Sequence, residues 1–196
     1  MKRVAVLSVA VSMVVVGCSD RSDPAGPAIP QFSNNAGVAS APAPNASTAR
    51  YEIKFMEDMI DHHMMAVMTA EVCVQKAVHE ELRSLCEQII ATQSQEIETM
   101  QQWLSDWYGV TYEPQMKPGD QKMVDRLASL SGGDFEIAFM EMMIEHHEGA
   151  IKAAEGCLKK AYHTELLELC EGIIEAQQAE IEQMETWLCE WYSICD

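Results

Sequence analysis

Two His-His pairs, His62-His63 and His146-His147, are the residues in this chain best suited to chemistry. Imidazole is a good ligand for zinc, copper, iron and nickel. Neighbouring residues on a helix point about 100° apart. Both rings of each pair can therefore flank one apolar stripe and approach an interior. A single histidine in such a place is most simply a packed core or boundary residue. Two pairs at matching positions, each beside methionine, point instead to a metal. Met59 and Met143 lie one helical turn before them. Thioether sulfur selects copper(I) among the first-row metals. Eight methionines fall in two short stretches, Met56, Met59, Met64, Met65, Met68 and Met140, Met142, Met143. Adaptable core packing accounts for some of them. Met64 and Met65 fall outside the apolar stripe, and exposed sulfur there is better explained by soft-metal capture.

The elements that must position these side chains come from a duplication. A shift of 84 residues aligns Phe55–Tyr108 with Phe139–Tyr192 without a gap, with 30 of 54 positions identical. A match of that length marks an internal repeat. Each copy reads as two helices. In the first, Phe55, Met59, Ala66, Ala70 and Cys73 recur at helical spacing, with Glu57, Asp58 and Asp61 pointing elsewhere. A polar break follows near 76–80. The next helix carries a stripe of Cys86, Ile90, Gln93, Ile97, Met100, Leu104 and Trp107. The second copy repeats the scheme, with Asp134 as the expected N-cap. Between the copies, 109–133 holds Pro114, Pro118 and Gly119, then a short helix over 120–130. Two hairpins and one long connection give an all-α fold, a four-helix bundle of ferritin-like connectivity. Trp103, Trp107, Trp187 and Trp191 read as core anchors, and His79 and His163 as solvent-exposed turn residues.

The cysteines set a register. Apart from Cys18, six remain, an even number that suits disulfides in an exported protein. Cys73/Cys86 and Cys157/Cys170 share a separation of 13 and the same place in each copy, so they are paired across the hairpins. Cys189 and Cys195 then pair at the C-terminus. A thiol metal site is the weaker reading, because no CxxC occurs. The hairpin bridges put His63 level with Glu96, and Met59 with Met100. They put His147 level with Glu180, and Met143 with Met184. The expected metal ligands are thus His62, His63, His146 and His147 with Met59, Met143, Met100 and Met184. Glu96 and Glu180 ligate or orient the rings, and Gln93 and Gln177 steady them. A surface-flanking carboxylate is an equal reading for Glu96.

Composition narrows the partners. A net charge of −18 argues against nucleic acid, since no basic stripe is present to neutralise phosphates, and against docking on an anionic membrane through a basic patch. No phosphate-cradling glycine loop occurs. Lys2 and Arg3 precede a 13-residue apolar run, 4–16, which is short for a membrane span of about 20 residues. The run closes on Val15-Val16-Gly17-Cys18, which resembles a bacterial lipobox. Residues 1–17 then read as a signal peptide, with Cys18 lipidated on the periplasmic side of a membrane and a mature charge of −20. Residues 18–48, rich in Ala, Pro, Ser and Asn, read as a flexible tether to a domain over 49–196.

Phe55-x₃-Met59-Ile60-x-His62-His63-x₂-Ala66 and Gln93-x₂-Glu96-Ile97-x₂-Met100, with their second-copy counterparts over 139–150 and 177–184, resemble the domain of unknown function 305 family. Asp134-Phe135 fits the same pattern. The resemblance covers about 50–192. It implies an exported, ferritin-like helical bundle and, for some members, copper handling outside the cytoplasm. Asp61 and Glu145 depart from it, standing where proline is common, and the hairpin cysteines are unusual. The resulting expectation is a binder of copper(I) or silver for storage, buffering or delivery, with zinc or iron as other metals. A di-metal oxidase is the rival, weakened because Met59, Ile60, Met143 and Ile144 replace the glutamate of a Glu-x-x-His motif. A structural helical module without metal is the third reading. No nucleophile–base set for hydrolysis is visible.

Overall fold

A computed structural model describes residues 41–195. The expected signal peptide, Cys18 and most of the expected tether lie outside them. Among the described residues the fold is all-helical, with five helices and no strand: α1 (Ala46–Lys76), α2 (Glu80–Tyr108), α3 (Pro118–Ser129), α4 (Gly132–Leu158) and α5 (Thr164–Tyr192).

Local chemistry explains the boundaries. The Asn45 side chain accepts from Ser47 N at 3.1 Å and Thr48 N at 2.9 Å, so α1 starts inside the stretch read as tether. Gly109, at φ +64°, closes α2 in the left-handed conformation, which costs glycine little. Helix α4 starts earlier than expected. Ser131 is its N-cap residue and Asp134 sits in the first turn, where a carboxylate still meets the positive end of the helix dipole. Arg83 donates to Val74 O at 2.7 Å and Ala77 O at 2.6 Å, satisfying carbonyls left open where α1 ends.

Helix α1 pairs with α2, α4 with α5, and the two hairpins meet through α1 and α4, with α3 laid on both. The bridges Cys73–Cys86 and Cys157–Cys170 pin each hairpin, and Cys189–Cys195 closes the C-terminus. All three are the expected pairings. In the chain-entropy account each hairpin bridge contributes about 3 kcal/mol.

The apolar core falls into two clusters. One joins Phe55, Met56, Met59 and Ile60 of α1 to Ala150, Ala154 and Cys157 of α4. The other joins Ala66, Ala70 and Cys73 to Phe135, Phe139, Met140 and Met143. The first half of α1 thus meets the second half of α4, so these helices run antiparallel. Small alanines at equivalent positions let them approach. On α2, Ile89 rather than Ile90 is fully buried, because the buried face widens toward Leu82 and Leu85.

Reciprocal contacts lock the hairpins together. Glu52 of α1 is fully buried and accepts from Tyr162 N at 2.6 Å, His163 N at 3.0 Å and His163 Nδ1 at 2.7 Å, all in the second hairpin's turn, and from Tyr108. Glu136 repeats this toward the first turn with Val78 N, His79 N, His79 Nδ1 and Tyr192. These contacts correct the expectation of exposed turn histidines. His163 is buried, its Nε2 reaches Ala41 O, and His79 is half-buried. Each ring also stacks on a tryptophan, His163 on Trp107 and His79 on Trp191, at 3.9 Å between centroids. The tryptophans are stacked pairs rather than four core anchors, because only Trp107 is buried.

Candidate metal centre

A polar layer separates the two apolar clusters midway along the long helices. The hairpin register brings His63 Nε2 to 2.7 Å from Glu96 Oε2 and His147 Nε2 to 2.6 Å from Glu180 Oε2. Both imidazoles are fully buried. An ionised carboxylate only accepts, so Nε2 carries the hydrogen and, in the neutral ring, Nδ1 is left as a lone pair. His62 and His146 meet between α1 and α4 with ring centroids 3.6 Å apart. His146 Nε2 donates to His62 O at 3.1 Å, again leaving Nδ1.

The layer is short of partners. The buried side-chain polar atoms without a hydrogen bond, among the described residues, are Nδ1 of His62, His63, His146 and His147, both amide atoms of Gln93, Glu96 Oε1 and Gln177 Oε1. Every one belongs to this layer. An unpaired buried polar atom costs about 1–3 kcal/mol, so their concentration in one place calls for a ligand. The electrostatics favour one that accepts lone pairs. Burial pushes His62 down to about 3, helped by His63, His147 and Lys117. Burial and the three other imidazoles hold His146 well below the ordinary range, against its bond to His62 O.

A cavity of 290 Å³ opens beside this pair of tilted rings, lined by His62, His146, Met65, Met142 and Met123 together with Lys117 and acidic Asp61, Asp120 and Glu145. The copies differ here in a useful way. The second-copy equivalent of Met65 is Gly149, and a Cβ at Gly149 would lie 3.4 Å from His62 Nε2. Both rings share the cavity with thioethers, and His62 also rests against bare backbone at Gly149.

Residues 52–188 match the domain of unknown function family DUF305. The chain belongs to the DUF305 family. CopM in its Cu(I)-bound form is 33% identical, with a TM-score of 0.65 over 72% of this chain and 97% of CopM. CopM co-crystallised with silver is 34% identical, with a TM-score of 0.64 over 72% and 97% of the two chains. A DUF305 protein from Streptomyces coelicolor, inferred to be secreted, is 27% identical, with a TM-score of 0.63 over 71% and 91%. Among curated proteins none matches the chain.

The residues expected to form the site in this DUF305 protein separate into two groups. His62, His63, His146, His147, Glu96, Glu180, Gln93 and Gln177 occupy the polar layer. Met59, Met100, Met143 and Met184 are buried within the apolar clusters on either side of it. Met65 is buried rather than exposed, because the connection between the copies covers it; Met64 is partly buried against the core. Among the described residues no three imidazole, thiol or carboxylate groups form a ready metal cage. The side chains that do share the cavity are two imidazoles, three thioethers, Lys117 and the carboxylates of Asp61, Asp120 and Glu145.

Met123 and Asp61 are the residues that sequence reasoning missed. Asp61, read as pointing away, is buried and accepts from Tyr112 OH at 3.0 Å and Gln115 N at 2.7 Å. It ties down the connection that carries α3 over the cavity. Nothing in the helical period marks a distant loop as the partner of one aspartate.

Proposed function

We propose that this DUF305 protein binds copper(I) or silver(I) as cargo, for storage, buffering or delivery outside the cytoplasm. His62 and His146 with Met65, Met142 and Met123 are the donors we assign to the ion. His63 and His147, steered by Glu96 and Glu180, complete or orient the set. The observation that carries this reading is the gathering of every unpaired buried side-chain polar atom among the described residues, four imidazole nitrogens included, beside a thioether-lined cavity. Imidazole and thioether together fit a soft ion better than zinc or iron. CopM, solved with Cu(I) and silver, supports the same choice.

The finer architecture we assign is a four-helix bundle with ferritin-like connectivity. The lipobox-like Gly17-Cys18 supports anchoring to a membrane by lipid; among the described residues no helix is long and apolar enough to cross one. A binder rather than an enzyme is favoured, because the Glu-x-x-His motif of di-metal oxidases is missing.

Anaerobic calorimetry with copper(I), silver(I) and zinc tests the reading. A saturable site for the two monovalent ions, weakened about tenfold or more by H62A/H146A, is the expected result, since lost coordinating or orienting groups cost about that much. Tight zinc binding with no copper(I) site would contradict it, and so would oxygen consumption by the iron-loaded protein.

A further inference from the structure

A second opening runs along the other side of the α1–α4 contact, with a volume of 800 Å³. Arg50 and Lys54 of α1, Lys152 of α4, Lys160 in the following turn and Lys117 before α3 all line it. All five are exposed. In a chain of net charge −18 with 13 Lys and Arg in all, five cations on one groove are a local reversal of sign. The lining between them is largely apolar, with Tyr51, Phe55, Met59, Ala153 and Gly156, and also holds Ser47, Asp58 and His62.

The cations are hardly neutralised from within. Lys54 pairs with Asp58 at 2.8 Å, an exposed contact that water weakens. Lys160 lies 5.3 Å over the Tyr51 ring, which leaves its charge intact. Arg50 and Lys152 sit on opposite walls.

We propose that this groove binds an acidic peptide segment of a partner protein. Extent decides the ligand class. Lys160 lies over Tyr51 and Lys117 acts on His62, about three helical turns further along α1, so the cations are spread along a trough, whereas a single phosphate needs donors converging on one point. That layout suits an extended chain with carboxylates on its flanks and apolar contact beneath. A concave groove between helices is also a poor match for a flat lipid surface. The overall negative charge sharpens specificity. An acidic segment meets a predominantly acidic surface elsewhere, and at physiological salt the screening length is about 8 Å, so contact with the clustered cations of the groove is favoured.

The test uses the whole chain as C18S, without added metal, so its outcome does not depend on the metal reading. A fluorescein-labelled oligo-glutamate peptide is titrated by anisotropy at about 20 mM salt, with oligo-glutamine as the neutral control. We expect saturable binding of the acidic peptide that falls with salt. R50E/K152E weakens it about tenfold or more, by placing like charge against the peptide, and the milder R50Q/K152Q weakens it in the same direction. K122E/R126E on α3, an equal charge change outside the groove, leaves it within about twofold by the same reasoning. Absence of peptide binding, equal losses in both charge-reversed variants, or displacement by inorganic phosphate or phosphatidylglycerol vesicles would overturn the proposal.

Discussion

His62 and His146 differ from the other titrating side chains in what their burial does to stability. Both have pKa values lowered on folding, so the unfolded chain binds more protons below about pH 6.5. Stability contributed by the neutral rings is present above that pH and is lost as pH falls toward the folded values. Urea titrations of metal-free protein should therefore show stability dropping between pH 6.5 and 4.5, by about 1.4 kcal/mol per unit for each depressed ring at most. H62A/H146A should flatten this slope. Single methionine replacements separate cargo sulfur from core sulfur. Met→Leu keeps volume and costs less than about 1.5 kcal/mol. M65L and M142L should weaken silver binding in calorimetry, while M59L and M100L leave it nearly unchanged.

The helices place these residues through a few buried contacts rather than through propensity alone. Burial pushes the Glu52 carboxyl up, and the bonds from Tyr108, Tyr162 and His163 outweigh it, leaving the group below its ordinary range; Glu136 behaves alike. Glu52→Gln should cost about 1.5–3 kcal/mol in urea unfolding, the size of a hydrogen bond to a charged group, and its loss should make stability less sensitive to acid near pH 4. Asp61→Ala should free the Tyr112–Gln115 connection, seen as faster amide exchange over 112–123 and faster silver release. Much of this level was legible beforehand. The 84-residue repeat and the equal Cys73/Cys86 and Cys157/Cys170 separations fixed the hairpins and the His63–Glu96 and His147–Glu180 pairs. Contacts between the hairpins were not legible. Nothing in a helical period says that Glu52 receives the turn at His163, or that Asp61 receives Gln115, because those partners are 111 and 54 residues away.

At the scale of the whole molecule, duplication supplies a near-symmetric frame and divergence supplies the asymmetry. Equivalent histidines meet at the pseudo-twofold, as His62 and His146 do. On one side the frame carries Met65 and Met142 facing Met123 of α3 across the cavity; on the other it carries the basic groove. Sequence reasoning saw the duplicated histidines and assigned sulfur at Met59, Met100, Met143 and Met184, which lie in the apolar clusters; which methionines line the cavity beside the paired rings depends on the connection and was not legible. The account stands most directly on which atoms surround the bound ion. X-ray absorption at the copper edge of copper(I)-loaded whole chain reads them. We expect nitrogen and sulfur neighbours together, with the sulfur contribution falling in M65L/M123L/M142L and persisting in M59L/M100L. A shell of nitrogen and oxygen alone, or a sulfur contribution indifferent to the cavity methionines, would contradict the account.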